Sequence, residues 1–435
     1  MLNSFNRNIK NILLVLLLIF FATVCFQRNF LQFANQDGFS VSKNESEALV
    51  LAAVVADDFG LDKKGGHLGF IAKEGAFKYP DNALDSYAIF SGEIKNIKSD
   101  FVPYTSQYGV QGKFFSKIHV LFGLNKLSQL QTINSFFLAL IVVSLFLLYR
   151  HIYDNLFAII FLVTLISSPW IISFARNLYW VPFLWFLPAL FAAMLYLERR
   201  LIFRLILLMG IVVAVFIKSL AGYEYLSSIT LFACSVFMVA PFFRDAHRNF
   251  SENLKLFIFV FTACVIGFVI ALLVHADMRG DSILSGIQNI YQQDIQRRTY
   301  GNSSNFDPTY RASLESSAID IVSNYIVQWK TDLIFWLPGS LFKFFLAFGV
   351  AGVVYKFSIK HVTRQRDAVL LAFFFIVPVS WFVLAKAHSY IHTQLNYVLW
   401  YFGFVQALLY VAVTSVAVFS LDFFKWIKTA TTKDC

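Results

Sequence analysis

Long apolar segments separated by short polar ones constrain this sequence more than any other feature. A helix needs about twenty apolar residues to cross a bilayer, and about ten segments approach that length. A water-soluble fold could not cover this much apolar surface, because 58% of the residues are hydrophobic and only 14% are charged. The predicted fold class is an all-α polytopic membrane protein. Its predicted transmembrane segments are residues 11–27, 131–149, 155–170, 179–197, 201–219, 224–243, 255–275, 335–356, 368–385 and 395–420.

The first apolar segment has two interpretations. Residues 12–26 follow Arg7 and Lys10, which is also the pattern of a secretory signal peptide. No small-residue cleavage pattern follows the segment, so we expect a retained signal-anchor helix.

The positions of Lys and Arg predict the orientation of the chain. Cytoplasmic loops carry an excess of these residues. If the N-terminus is cytoplasmic, the basic clusters fall at alternate ends of the segments and the C-terminus is cytoplasmic too. The net charge of +10 therefore indicates membrane topology rather than nucleic-acid binding. The predicted inside cations are Arg7, Lys10, Arg150, Arg199, Arg200, Arg204, Arg244, Arg248, Lys255, Lys356, Lys360, Arg364, Arg366, Lys425, Lys428 and Lys433.

The cysteines predict neither a disulfide framework nor a zinc site. Cys25, Cys234 and Cys264 lie within apolar segments, Cys435 is the last residue, and no two have a paired spacing. A cysteine inside a membrane segment is typically a small packing residue.

Two long segments are predicted on the outer side of a single membrane domain that spans residues 1–435. They are residues 28–130 and 276–334, and long loops in a compact fold are usually functional. Residues 48–55 and 113–122 have helical apolar periodicity, which predicts two helices lying in the membrane interface.

Acidic residues gather near the start of the first of these helices. Glu45 or Glu47 could take a proton from an acceptor hydroxyl as a general base, and Asp57 is a third candidate. The same acids could simply stabilise the helix dipole from its first turn. Asp57 and Asp58 come near the helix end, where the dipole is unfavourable, so they need a cation, a basic partner or solvent.

Hydroxyls, amides and aromatic rings recur in the outer connections. Tyr104, Gln107 and Gln111 could bind a sugar, or could form an ordinary capped turn. Tyr223 and Glu224 stand where a span begins, and an ionisable group near the membrane is a candidate functional residue.

Cations occupy later outer connections. They are Arg297, Arg298, Lys386, His388 and His392. Lys386 with the two histidines could stabilise a phosphate leaving group, because positive groups aimed at developing negative charge lower a reaction barrier. They could also anchor the chain at the interface, and two histidines four residues apart could bind zinc.

These stretches resemble the GT-C superfamily of membrane glycosyltransferases, in particular a group of bacterial multi-span proteins. The resemblance implies that an acid in the first outer loop is the catalytic base, and Glu47 matches that position. Many members have an Asp-Glu or Asp-Asp pair there, whereas this chain has Glu45-Ser46-Glu47, so Glu45 stays open as the base. The resembling stretches are residues 47–51 with Ala56, Asp57 and Gly60, and residues 104–112, 175–180, 222–225 and 386–392.

The resemblance also implies the substrates. Members take a sugar from a polyprenyl-phosphate donor, usually with inversion, and hold the donor phosphate with basic residues. The residues that the resemblance implies for this role are Arg297, Arg298, Lys386, His388 and His392, with Arg176 behind them. Some members bind a divalent metal, which nothing in this sequence indicates. We expect no cofactor, a glycan or glycolipid acceptor, and a location in a bacterial cytoplasmic membrane. A lipid-linked oligosaccharide flippase and a polysaccharide polymerase or ligase remain alternatives. The nearly charge-free centres of the spans favour an enzyme over a transporter.

Overall fold

The structure is a computed structural model. It describes residues 2–36, 39, 44–63, 65–71, 85–94, 100–243, 249–329 and 331–431. Arg244, Arg248, Lys433 and Cys435 lie outside these residues. Cys25, Cys234 and Cys264 are buried free thiols, as the sequence predicts.

Each of the ten predicted segments coincides with a helix or a pair of helices in the described residues, so the all-α polytopic fold is confirmed. These helices are α1 (Leu2–Arg28), α5 (Leu127–Ile152), α6 (Asn155–Ser167), α7 (Pro169–Ala175), α8 (Phe183–Leu197), α9 (Leu201–Ala221), α10 (Leu226–Val239), α11 (Phe250–Arg279), α16 (Leu341–Ser358), α17 (Arg364–Leu384) and α20 (Phe404–Thr431).

Not every one of these helices is long enough to cross a bilayer alone. Among the described residues, seven are long and apolar enough, namely α1, α5, α9, α11, α16, α17 and α20. The pair α6 and α7 adds an eighth if its two parts form one span bent by 62°. The bend has a local cause: the Ser168 hydroxyl caps α7 by accepting from Ile171 N, and Pro169 cannot continue α6.

The two remaining segments form shorter apolar helices, α8 and α10. Both run beside longer helices, because α8 packs on α9 and α10 packs on α11. The far end of α8 reaches the start of α9, where Arg204 Nε donates to Glu198 O at 3.0 Å. Beyond α10, the Phe243 ring contacts Tyr153, which directly follows α5, and Arg366, which lies near the start of α17. These contacts support a full crossing by both helices, which remains a prediction.

The outer segments contain short elements in place of a separate domain. The first holds α2 (Asn44–Asp58), α3 (Asp85–Phe90) and α4 (Val110–Phe122). It also holds strands β1 (Gly69–Ile71) and β2 (Phe101–Pro103), which pair antiparallel with Phe70 opposite Val102. The second holds α12 (Ile283–Ile290), a π-helical turn (Tyr291–Ile295), α13 (Gln296–Arg298), α14 (Arg311–Glu315) and α15 (Ala318–Val327). Two short helices precede the last span, α18 (Lys386–Ile391) and α19 (Thr393–Asn396).

The helix α2 is covered by protein. Its residues from Ala48 to Ala56 are all buried, at most 4% exposed, and the helix packs against α3, α4 and β1. Its location at the membrane interface remains a prediction. The second predicted helix, α4, buries one face on α2 and exposes Val120, Leu121 and Phe122 at its end.

Replacement of Gly112 by Ala should destabilise this outer layer. A Cβ at Gly112 would overlap the backbone carbonyl of His67, which cannot move independently of its loop. Overpacking of this kind costs about 1–3 kcal/mol of the free energy of unfolding, measurable by thermal unfolding in detergent. Gly210→Ala is the matched control, because its nearest neighbour is the Phe191 side chain at 3.3 Å. Equal melting temperatures for the two variants would contradict the close α4–loop contact.

Candidate active site

Polar side chains from six distant parts of the sequence surround one cavity of about 390 Å³. It lies where α2, the α7–α8 and α9–α10 connections, α13 and α18 meet, which is the predicted outer end of the bundle. Its lining residues are Glu45, Ser46, Leu49, Tyr104, Tyr179, Trp180, Glu224, Arg297, Arg298, Tyr310, His388, Ile391, His392, Gln394 and Leu395.

The two glutamates at the start of α2 have different surroundings. Glu45 is exposed and lines the cavity. Glu47 is 3% exposed and does not line it. On a helix, residues two apart point to nearly opposite sides. The cavity therefore offers the carboxylate of Glu45, not that of Glu47, to a ligand.

Glu47 is held by protein groups on both of its oxygens. Oε1 accepts from Leu178 N at 3.0 Å, and Oε2 accepts from the Tyr87 hydroxyl at 3.1 Å. Gln131 Nε2 donates to both oxygens, at 3.1 and 3.0 Å. Burial raises the pKa of Glu47, while these bonds and the charge of Arg176 oppose that rise. This carboxyl group joins four parts of the chain, so its geometry is that of a structural centre.

Arg176 belongs to the Glu47 cluster and not to the cavity. Its guanidinium stacks on the Phe39 ring at 3.8 Å and donates to Phe39 O at 3.2 Å. Burial lowers its pKa, and Glu47 opposes that change.

Asp57 lies at the far end of α2, roughly 18 Å along the helix from Glu45 at 1.5 Å per residue. It pairs with Lys63 and accepts a hydrogen bond from the Ser116 hydroxyl. Its neighbour Asp58 meets His119 Nε2 at 3.1 Å. These are the basic partners that the two acids were expected to need at a helix C-terminus.

A hydrogen-bonded layer supports one side of the cavity. Gln107, 1% exposed, donates from Nε2 to the Tyr179 hydroxyl at 2.6 Å and to Glu224 Oε1 at 3.0 Å. Gln111 donates to the backbone carbonyls of Tyr179 and Ala221, at 3.2 and 2.9 Å. Gln107 and Gln111 thus fix the two connections that carry Tyr179 and Glu224, while Tyr104 faces the cavity directly.

Arg297 and Arg298 form an arginine wall beside the cavity. Arg298 Nη1 donates to Glu224 Oε1 at 3.3 Å, and Arg297 lies over the Tyr310 ring at 5.3 Å. Both contact the buried carboxylate of Asp294, at 3.6 and 3.7 Å. Burial alone would lower the pKa of Arg298, but Glu224 and the other nearby acidic groups raise it overall. Arg298 therefore stays a cation.

His388 and His392 face the cavity side by side, with ring centroids 4.6 Å apart. Burial lowers the pKa of both, and the charge of Arg298 lowers it further. Both rings are therefore neutral at pH 7 and can donate or accept single hydrogen bonds without adding positive charge. Among the described residues, no group of three or more His, Cys, Asp and Glu side chains is arranged to hold a metal ion.

Lys386 and Tyr223 do not line the cavity. Lys386 Nζ donates to the carbonyls of Leu314 and Ser316 at the end of α14, at 2.6 and 2.8 Å. The Tyr223 hydroxyl bonds to His275 Nδ1 at 2.8 Å. The sequence alone does not predict that these two side chains lie outside the cavity. Residues that are close in sequence direct their side chains to different places where the backbone turns.

Two further spaces adjoin the arginine wall. An apolar groove of about 260 Å³ lies on one side, lined by Tyr223, Leu226, Ser227, Phe268, Leu272, Ile290, Asp294, Ile295, Arg298, Thr299, Trp381, Leu384 and Ala385. A polar groove of about 460 Å³ lies on another, lined by Gly65, Thr105, Ser106, Met278, Arg279, Asn289, Gln293, Asp294 and Arg297.

Sequence reasoning missed Asp294 and Tyr310, and it named the stretch of residues 175–180 without selecting Tyr179 from it. Asp294 precedes Arg297 and Arg298 by three and four residues, the spacing of ion pairs on one helix face. That spacing is a signal that could have identified it.

Comparisons with known proteins identify no family for the chain. No protein-family profile matches the sequence, and no curated protein matches it. Among solved structures, the chain is similar to the oligosaccharyltransferase of Archaeoglobus fulgidus in its apo form, with a TM-score of 0.45 and 13% identity. The match covers 96% of this chain and 52% of that one, so the chain spans about half its length.

Replacement of Glu47 by Ala should destabilise the protein far more than replacement of Glu45. Glu47→Ala removes the acceptor of the buried donors on Gln131 and Leu178 and of the half-buried Tyr87 hydroxyl, which costs about 2–4 kcal/mol. Glu45→Ala removes an exposed first-turn acid, which costs less than about 1 kcal/mol. Thermal unfolding in detergent measures both. A Glu45 variant less stable than the Glu47 variant would contradict the assigned roles.

Mild acid should destabilise the protein through the two histidines. Their lowered pKa in the folded state means that the unfolded chain binds more protons just below pH 6.5, so stability falls as pH drops through that range. We expect the melting temperature to fall more between pH 7.5 and 5.5 in wild type than in the His388→Gln/His392→Gln variant. Parallel pH profiles for the two proteins would contradict this.

Proposed function

We propose that the chain is a glycosyltransferase that moves a sugar from a lipid-phosphate donor to an acceptor hydroxyl. The observation that carries this proposal is the position of Arg298, which lines both the polar cavity and the apolar groove. A ligand with a polar head and an apolar tail can fill both spaces at once, with its phosphate at the arginine wall. A sugar linked through phosphate to an isoprenoid has that build.

The apolar groove suits the tail. Phe268, Leu272 and Trp381 belong to long helices, so a lipid chain reaches them from within the membrane. Burial of the chain's methylenes there is favourable because it removes apolar surface from water and fills an apolar space.

The cavity suits the sugar. Tyr104, Tyr179 and Trp180 offer aromatic faces and hydroxyls, and Gln394 adds an amide. Few but well-placed polar groups among aromatic rings are typical of ligand sites that fix the orientation of a polar molecule. A cavity of about 390 Å³ is in the range of small-molecule sites.

Glu45 is our candidate for the general base. As the hydroxyl oxygen of the acceptor forms a bond to the anomeric carbon, the proton of that hydroxyl passes to the Glu45 carboxylate. The bond between the anomeric carbon and the phosphate oxygen breaks, and its electron pair stays on the phosphate. Attack from the face opposite the leaving group inverts the anomeric centre. Glu47 supports this step only by holding α2.

Arg297 and Arg298 stabilise the departing phosphate. Charge-assisted hydrogen bonds from guanidinium groups to phosphate are short and directional. Because negative charge grows on the phosphate as the bond breaks, these contacts strengthen in the transition state. His388 and His392, both neutral, add hydrogen bonds from the same cavity. Lys386 and Arg176 have no part in this proposal, since other groups hold them.

This proposal keeps the GT-C likeness found in the sequence and moves the base from Glu47 to Glu45. It places the reaction at the outer face of a bacterial cytoplasmic membrane, with a surface glycan or glycolipid as acceptor. A flippase would also need a lipid site, but the carboxylate of Glu45 in the cavity has a direct role in a transferase, as the general base. A polymerase or ligase would differ only in the product.

Replacement of Glu45 by Gln should abolish transfer without unfolding the protein. The assay uses purified protein in liposomes, labelled sugars on undecaprenyl phosphate, and a bacterial glycolipid extract as acceptor. Loss of a general base lowers the rate by about 10² to 10⁴-fold. Glu93→Gln, an exposed acid in the same outer segment, is the matched control and should keep the wild-type rate.

Two outcomes would overturn this assignment. Wild-type rates in folded Glu45→Gln would remove Glu45 as the base. Failure of folded wild-type protein to transfer any of the sugars, despite binding the lipids, would remove the transferase and leave a lipid-binding or transport function.

A further inference from the structure

Asp294 holds three arginines with one buried carboxylate. It is 3% exposed and sits in the π-helical turn Tyr291–Ile295. Arg279 Nη1 contacts its Oδ2 at 3.0 Å, and Arg297 and Arg298 approach its Oδ1 at 3.6 and 3.7 Å. Single π-turns inside helices are rare and occur frequently at functional sites. Here the turn lies directly before the two residues of the arginine wall.

The arginine wall is much less positive than its sequence implies. Each of its guanidinium groups already faces a carboxylate, because Arg297 contacts Asp294 and Arg298 contacts both Asp294 and Glu224. His388 and His392 add no charge, since burial lowers the pKa of both. Lys218, the other buried cation near Glu224, does not line the cavity and donates to Gly222 O at 2.5 Å.

Asp294 lies where three spaces meet. It lines the apolar groove and the polar groove, while Arg297 and Arg298 line the cavity. Asp294 itself does not line the cavity, so it acts on a headgroup there through the two arginines. It is therefore a positioning residue, which fixes the direction and the net charge of the wall.

We propose that Asp294 makes the cavity selective for a lipid monophosphate over a lipid diphosphate. This inference rests on the proposed function and narrows its substrate class. A sugar phosphodiester carries one negative charge, whereas a diphosphate link carries at least two and needs more uncompensated positive charge. The wall supplies directional N–H donors from guanidinium groups whose charge is partly balanced, because Asp294 is shared with Arg279. It recognises the phosphate by geometry and disfavours the extra charge.

The test measures the ratio of the dissociation constants for farnesyl phosphate and farnesyl diphosphate with the purified full chain in detergent. Asp294→Asn keeps the shape of the side chain and adds one net positive charge to the wall. We expect the ratio to shift toward the diphosphate by about tenfold or more, because the additional charge attracts the more highly charged ligand more strongly. Asp320→Asn, an exposed acid on α15, should leave the ratio unchanged.

An unchanged ratio in folded Asp294→Asn would overturn the inference, as would a shift of equal size in Asp320→Asn. If Asp294→Asn does not fold, Glu224→Gln removes the other carboxylate of the wall and should shift the ratio in the same direction. An unchanged ratio there would also overturn it. The proposed function has its own readout, which is sugar transfer. Transfer from monophosphate donors together with an unchanged ratio of dissociation constants would overturn only the inference about Asp294. A shifted ratio without transfer from any donor would sink only the transferase.

Discussion

The site depends on the buried carboxyl group of Glu47. Its bonds to Tyr87, Gln131 and Leu178 join α2 and α3 to α5 and to the chain after α7. Burial of a charge is unfavourable unless hydrogen bonds and an opposite charge compensate it. Those bonds and the nearby Arg176 do so here. Because α2 is anchored at this point, its first turn places Glu45 at the cavity.

Much of the fold could be predicted from the sequence, because the bilayer imposes a length and a composition on each span. The placement of α2 could not. An apolar helix beside the membrane can be covered by lipid or by other parts of the same protein, and its own composition is similar in both cases. Two of the covering elements, α3 and β1, are short and weakly patterned. The packing of these two and of α4 over α2 depends on tertiary contacts that the sequence alone does not reveal.

The sequence narrowed the candidate site to one face of the protein but did not choose among its residues. Glu45 and Glu47 are about 200° apart around their helix, so only one can face a ligand, and the periodicity does not tell which. Lys386 and His388 are two residues apart but make different contacts. Lys386 donates to the carbonyl of Leu314 in α14, while His388 lines the cavity. Both residues belong to α18, the short helix after α17. The packing of α18 decides which of its side chains face the cavity. Asp294 lies outside the pattern of cations that predicts a phosphate site, because it is the acid that balances the charges of Arg297 and Arg298.

The two short helices α8 and α10 begin at the cavity. They have 15 and 14 residues, whereas the neighbouring α11 has 30. At 1.5 Å per residue, roughly 21–23 Å of helix stands beside roughly 45 Å. The connections that precede α8 and α10 carry Tyr179 and Glu224, and both side chains line the cavity. Chain that would otherwise lengthen these two helices is therefore used for the connections that form the cavity wall.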